Sequence, residues 1–353
     1  MRKFLAMILI ILFVPTLVAC GGGAAPASPA APPAPGGTTQ PEAPPADAPL
    51  EQVTLRWAEL SGPAAITTRA ARVFADEVYA ISDGAIVVEV FDSMVLGDEA
   101  STMQSLQMGA VDFFRGSALT LGDFGASMMN IFGLPFVFTG MDHMWEVLES
   151  PIGDQMLANV QASDTQMVGV SWFGMGARHF MFTENVSSLE EMSGLRVRVP
   201  QTQLMIDMVE SLDANATAIS FAELYSALQT GVVEGMENPL SSYLNNSFYE
   251  VAPYVLLSSH NVSALPILAS EMTWNSLSEA HRTLILQALD VAYEWIKNEA
   301  DADDLWAYNE LIDRGVVIHS VPDFAPWQEA VAWMYEEYGA DYIDVINAII
   351  AMG

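Results

Sequence analysis

The chain has 353 residues, of which 44 are Asp or Glu and only 12 are Lys or Arg, giving a formal net charge of -32. That balance excludes nucleic acid as a partner, because binding it needs a basic face that displaces counterions, and it disfavours an anionic membrane surface. With 52% hydrophobic and 16% charged residues, the chain can bury a core, and its length suits about two domains.

The first 19 residues have a short basic start (Arg2, Lys3), an apolar run from Phe4 to Val14, and small residues before Cys20. This is the pattern of an export signal, and the run is short for a membrane-spanning helix. Cys20 is the single cysteine, so neither an internal disulfide nor a thiolate metal site can form. "LVAC" (Leu17 to Cys20) resembles a bacterial lipobox, which implies cleavage after residue 19 and diacylation of Cys20. Residues 20–49 then read as an Ala/Pro/Gly-rich tether. The stretch 21–49 holds nine of the chain's 19 prolines and no large apolar residue, so it cannot pack into a core. Signal, lipid and tether place the body in the cell envelope, extracytoplasmic or periplasmic and lipid-anchored to a membrane.

From Glu51 the pattern alternates. "VTLRWAEL" reads as a strand, and "AAITTRAARVFADEVYAIS" as a helix with Ile66, Ala70, Val73, Phe74 and Val78 at helical spacing. "AIVVEVF", "EASTMQSLQMGA" and "VDFF" follow as strand, helix and short strand. This order predicts an open, mostly parallel sheet with helices on both faces. In the second half "TQMVGVSWF" and "LRVRVP" read as strands, and "MGARHF" and "GASMMN" as glycine turns. Capping boxes are expected at Ser187/Glu190, Ser220/Glu223 and Ser276/Glu279. One long amphipathic helix is expected from Ser278 to about Ala300, with Leu284, Ile285, Ala288, Leu289, Ala292 and Trp295 inward.

Catalytic motifs do not stand out. The five histidines form neither HxxxH nor HExxH, so a helical metal site is unsupported. "GVSWF" has Phe173 where a nucleophile elbow needs its second glycine, and Ser171 lies inside a strand. There is no P-loop and no G-x-G-x-x-G. Carboxylates are so common that spacing selects none. Positive charge is the rarer signal. Arg115 ends "VDFF", Arg178 follows "FGMGA", and Arg196 and Arg198 alternate with Leu195, Val197 and Val199. Ligands of open α/β folds bind beyond the carboxyl ends of strands, and the planar guanidinium suits a carboxylate in two-point contact. Trp172, Phe173 and Tyr225 are candidate pocket walls, with core packing an equal reading.

The run from Gly194 to Val251, with "RVP", "FAELYSALQTGVVEGMENPL" and "FYEV", resembles the solute-binding proteins of tripartite ATP-independent periplasmic (TRAP) transporters, of the C4-dicarboxylate-binding type. The resemblance extends upstream through "MVLGDEASTMQSLQMGAVDFFR", "GLPFVF" and "SPIGDQM", and downstream to "LIDRGVVIHSV", covering roughly residues 53–340. It implies a periplasmic-binding-protein type II-like α/β fold, with two α/β domains, a ligand cleft and a long C-terminal-region helix. The implied domains are 50–175 with 264–303, and 176–263 with 304–353. It further implies Arg198 as the carboxylate clamp, with Arg178, Asn238 and Arg115 as further ligand contacts; no family role transfers to Arg196. "WAELSGPAAITT" is poorer in histidine and polar residues than the family pattern, which leaves the substrate open. The expected function is a receptor, not an enzyme. It takes a small, dicarboxylate-like organic acid, closes about a hinge and delivers the acid to the TRAP permease membrane subunits, acting as a monomer without cofactor or metal. The alternatives are a sugar-acid, keto-acid or amino-acid receptor, or an envelope enzyme on the same fold.

Overall fold

A computed structural model of the chain describes residues 50–353. The expected signal peptide, the Cys20 lipidation site and the tether lie outside the described residues. The first alternation forms as the pattern predicts: β1 (Val53–Ala58), α1 (Ile66–Ile81), β2 (Ile86–Phe91), α2 (Glu99–Gln107) and β3 (Phe113–Arg115). In α1 the buried residues Ile66, Ala70, Phe74 and Val78 form one stripe. α2 starts where the Asp98 side chain accepts from the Ser101 N–H at 3.0 Å. Short helical pieces follow as α3 (Ala118–Leu121), α4 (Met141–Leu148) and α5 (Pro151–Ala162).

The next strand departs from expectation. β4 runs from Met167 to Phe182, straight through "FGMGARHF", where glycine turns were expected. The glycines serve close approach instead. A Cβ at Gly174 would sit 2.5 Å from the Trp145 ring, and one at Gly176 would strike the Asp304 carboxylate. The strand absorbs its irregularity as register shifts at Gly169/Ser171, Met175/Ala177 and Arg178/Phe180.

Then come β5 (Arg196–Val199), α6 (Gln203–Ser211), β6 (Asn215–Ala218), α7 (Leu224–Gln229), β7 (Gly235–Pro239), α8 (Leu240–Asn245) and β8 (Tyr254–Ser270). α9 (Glu271–Ser276) leads into α10 (Glu279–Asp313), and β9 (Val317–Ser320), α11 (Ala325–Val331), α12 (Met334–Gly339) and α13 (Ile343–Ile350) end the chain. α10 is longer than expected: its 35 residues reach about 50 Å at 1.5 Å per residue. Its cap is Ser278, whose side chain accepts from the His281 N–H. Ser276 instead closes α9, so that capping box is misplaced. Near Ser187 the contact falls one residue late, on Glu191, which accepts from the Ser187 N–H at 2.8 Å.

The strands form one sheet in the order β2-β1-β3-β8-β4-β7-β5-β6, with β9 beside β8. Three pairings are antiparallel, β3 with β8, β8 with β4 and β4 with β7, and the other five are parallel. Long β4 and β8 therefore join two parallel ends into an α/β fold. Trp57, Phe74, Phe113 and Phe173 make an aromatic centre, with centroids 5.3–6.1 Å apart. A second cluster gathers Tyr243, Phe248 and Leu311. No helix among the described residues is long and apolar enough to cross a membrane.

Candidate functional site

Three buried arginines meet at one cavity. Arg115 ends β3, Arg178 lies in β4 and Arg198 in β5. All three line a space of about 600 Å³, open mouth included, together with Leu60, Ser61, Glu99, Ser117, Phe221, Asn238, Ser242 and Ser263. The strand ends explain the convergence. β1, β3 and β5 are joined by parallel pairing to their neighbours, and their carboxyl ends open toward the cavity with Leu60, Arg115 and Pro200.

The three arginines have different neighbours. Arg115 Nε donates to both oxygens of Glu59, at 3.1 and 3.2 Å, and its Nη2 donates to the same carboxylate. Arg178 Nε and Nη2 donate to Glu237 at 2.5 and 2.8 Å, and its Nη1 approaches Ser263 Oγ at 3.4 Å. Glu59 and Glu237 are 1% and 0% exposed, so both are buried ion pairs. Arg198 has no ion pair among the described residues. Its Nε donates to the Ile219 carbonyl at 2.8 Å, and its guanidinium lies 5.9 Å from the Phe221 ring centroid. The two terminal nitrogens, the edge that grips a carboxylate, have no protein hydrogen-bond acceptor among the described residues. The residue is only 4% exposed.

The electrostatics follow from that placement. Burial pulls the Arg198 guanidinium down to about 10, opposed by Glu237 and helped by Arg178, which marks a desolvated cation short of negative charge. Burial also depresses Arg115, but Glu59 and then Glu99 together outweigh it and the net direction is upward. Burial would raise Glu237, yet Arg178 and then His260 hold it at about 2. His260 Nε2 stands 3.5 Å from Glu237 Oε2. Burial pushes His260 below the ordinary histidine range, against the pull of Glu237. Burial raises Glu99, opposed first by Arg115 and then by Thr120. Its Oε1 accepts from the Ser117 N–H at 3.1 Å and the Thr120 hydroxyl at 2.9 Å.

Of the residues singled out in the sequence, Arg115, Arg178, Arg198 and Asn238 come together at this cavity. Asn238 lies in β7 opposite His179 and is 5% exposed. Trp172 and Tyr225 do not line it. Trp172 is buried against Phe132, with ring centroids 5.3 Å apart, because its stretch of β4 faces the apolar core. Tyr225 lies on α7 against Phe248, and its hydroxyl donates to Glu250 at 3.1 Å. Residues that sequence reasoning missed are Glu59, Glu99 and Glu237, with Ser61, Ser117, Ser242 and Ser263. The available signal was an isolated acid within an apolar run, as in "WAEL" and "GMENP".

The family of bacterial extracellular solute-binding proteins, family 7, matches residues 58–341. A TRAP periplasmic solute-binding protein from Pseudomonas putida F1, solved with bound D-glucuronate, is 31% identical with a TM-score of 0.82, over 84% of this chain and 96% of that one. A second, from Xanthobacter autotrophicus Py2 with bound β-D-galacturonate, is 30% identical with a TM-score of 0.81, over 84% and 99%. A solute-binding protein of Chromohalobacter salexigens is 29% identical over 284 residues, 80% of this chain and 83% of that protein. A match spanning nearly the whole described body, on the same fold, settles the assignment: the chain belongs to family 7 of the bacterial extracellular solute-binding proteins, the solute receptors of TRAP transporters.

Proposed function

We propose that the cavity binds a sugar acid, a polyhydroxylated monocarboxylate, for delivery to a TRAP permease. The supporting observation is the count of charges around the arginines. Glu59 compensates Arg115 and Glu237 compensates Arg178, so only Arg198 is left to take a ligand carboxylate. A second carboxylate on the ligand would be buried without a countercharge, which is costly. Ser61, Ser117, Ser242 and Ser263 offer hydroxyls to a polyol, and Leu60, Phe221 and Leu265 offer apolar wall to its carbon-bound hydrogens. The related structures with bound D-glucuronate and β-D-galacturonate support this reading over a dicarboxylate.

The mechanism is hinge closure. The cavity wall is shared between the two halves expected from the sequence. Leu60, Ser61, Glu99 and Arg115 come from 50–175, and Arg178, Arg198, Phe221 and Asn238 from 176–263. A ligand touching both halves favours the closed arrangement only through the contacts it gains there. Arg198 fixes the carboxylate, and Asn238 can both donate and accept toward a neighbouring hydroxyl.

Calorimetry with D-glucuronate, D-galacturonate and succinate tests this. A sugar acid should bind more tightly than succinate. Arg198→Ala should weaken that binding by about 2–5 kcal/mol, roughly 30-fold to 5,000-fold, with the fold intact. Unchanged affinity in the variant, or a preference for succinate, contradicts the reading.

A further inference from the structure

Arg115 lines the cavity, but the residue that sets its charge does not. Glu59 stands at the end of β1, 1% exposed, and is absent from the cavity wall. Its carboxylate takes Nε and Nη2 of Arg115 and also accepts from the Ser61 N–H at 3.0 Å. Nη1 of Arg115 makes no hydrogen bond to any described residue, so the arginine turns one edge to its acid and keeps another toward the cavity. Arg178 is more fully committed: Glu237 takes Nε and Nη2, and Ser263 lies beside Nη1. At most one positive charge, that of Arg198, is left uncompensated, and an ionised Glu99 lowers the total further.

We propose that Glu59 is a specificity-determining residue: by masking Arg115 from behind, it limits the receptor to acids with a single carboxylate. This rests on the sugar-acid reading above and deepens it. Glu59 never meets the ligand; it acts through the charge that Arg115 presents. Remove that negative charge and the cavity holds two desolvated cations on strands from opposite halves, Arg115 on β3 and Arg198 on β5. A six-carbon chain with a carboxylate at each end then finds a partner for both.

The test compares D-gluconate with D-glucarate, open chains differing only in whether the far carbon is a primary alcohol or a carboxylate. The wild-type receptor should bind glucarate more weakly than gluconate. Glu59→Gln, which keeps the shape and removes the charge, should raise glucarate affinity at least tenfold, with a smaller change for gluconate. Glu59→Asp should keep the wild-type ranking. Adding Arg115→Gln to Glu59→Gln should abolish the gain, because the unmasked cation is gone. If the Gln variant does not fold, Glu59→Ala gives the same readout, with water able to solvate Arg115. A purely structural Glu59 would lower stability without reordering the two acids. Three results overturn the proposal: wild-type protein that binds glucarate as tightly as gluconate, a folded variant whose gain for glucarate does not exceed its gain for gluconate, or a gain that survives Arg115→Gln. Failure of wild-type protein to bind D-glucuronate, D-galacturonate or gluconate overturns the sugar-acid reading instead, before any variant is made.

Discussion

Arg196 and Arg198 share a strand face, and only one of them is buried. No bulge separates them: β5 pairs with β6 without interruption from Arg196↔Asn215 to Val199↔Ala218. The cause is position along the strand. β7 begins at Gly235, opposite Val197, so Arg196 lies beyond the neighbour's end while Arg198 is flanked on both sides. Arg196 reaches instead to Glu234, at 3.2 Å, with its side chain 48% exposed. Exposed pairs of this kind contribute about 0–1 kcal/mol. Arg196→Gln should therefore leave ligand affinity unchanged and shift the urea midpoint only slightly, with calorimetry and denaturation as the checks. The arginines were legible in the sequence because basic residues are rare in it. Glu59, Glu99 and Glu237 were not, because 44 acids hide the three that matter. Which acid meets which arginine depends on strand neighbours far apart in the chain.

Elements with a clean period were readable, and elements built on close approach were not. The stretch from β1 to β3 follows the sequence pattern: α1 buries a stripe at helical spacing, and β3 is a short run buried throughout. β4 was cut short in the reading because glycine usually signals a turn. Gly176 instead lets α10 come near enough to place Asp304 against the strand. α10 was likewise ended too early, at the acidic "DADD". It continues because Asp303 turns inward to pair with Arg69 at 2.5 Å, and Ala307 and Leu311 resume the buried stripe. Gly176→Ala should push the Asp304 carboxylate away from β4. The cost should be about 1–3 kcal/mol, the usual scale for overpacking. It should appear as a lower denaturant midpoint at unchanged slope. A midpoint equal to wild type would mean that the Asp304 side chain turns aside freely.

At the scale of the molecule, buried titratable groups tie stability to pH. Burial, then the neighbouring His260, holds His179 at about 3, well below the ordinary 6.5. A histidine with a depressed folded value contributes stability above 6.5 that is lost as pH falls toward 3. Glu237, held at about 2 against an ordinary 4.5, adds a second loss as pH falls from 4.5 toward 2. Asp304 works in the opposite sense. Burial, with Asp303 and Asp301 nearby, raises it from 3.8 to about 6, so its penalty is relieved as pH falls through that window. Urea unfolding measured between pH 7 and 3 should therefore show a shallower loss for His179→Gln than for wild type. Equal slopes would remove His179 from the account.

The place of β8 in the sheet also orders events in time. β8 lies between β3 and β4, and Phe113 pairs with Ala269, more than a third of the chain later. Until β8 has been made, β3 lacks one neighbour, and the cavity lacks Ser263 and Leu265. Pairings between such distant segments form slowly, because a long loop must close before any contact rewards it. A nascent chain of this design cannot complete its centre until most of its length has been made.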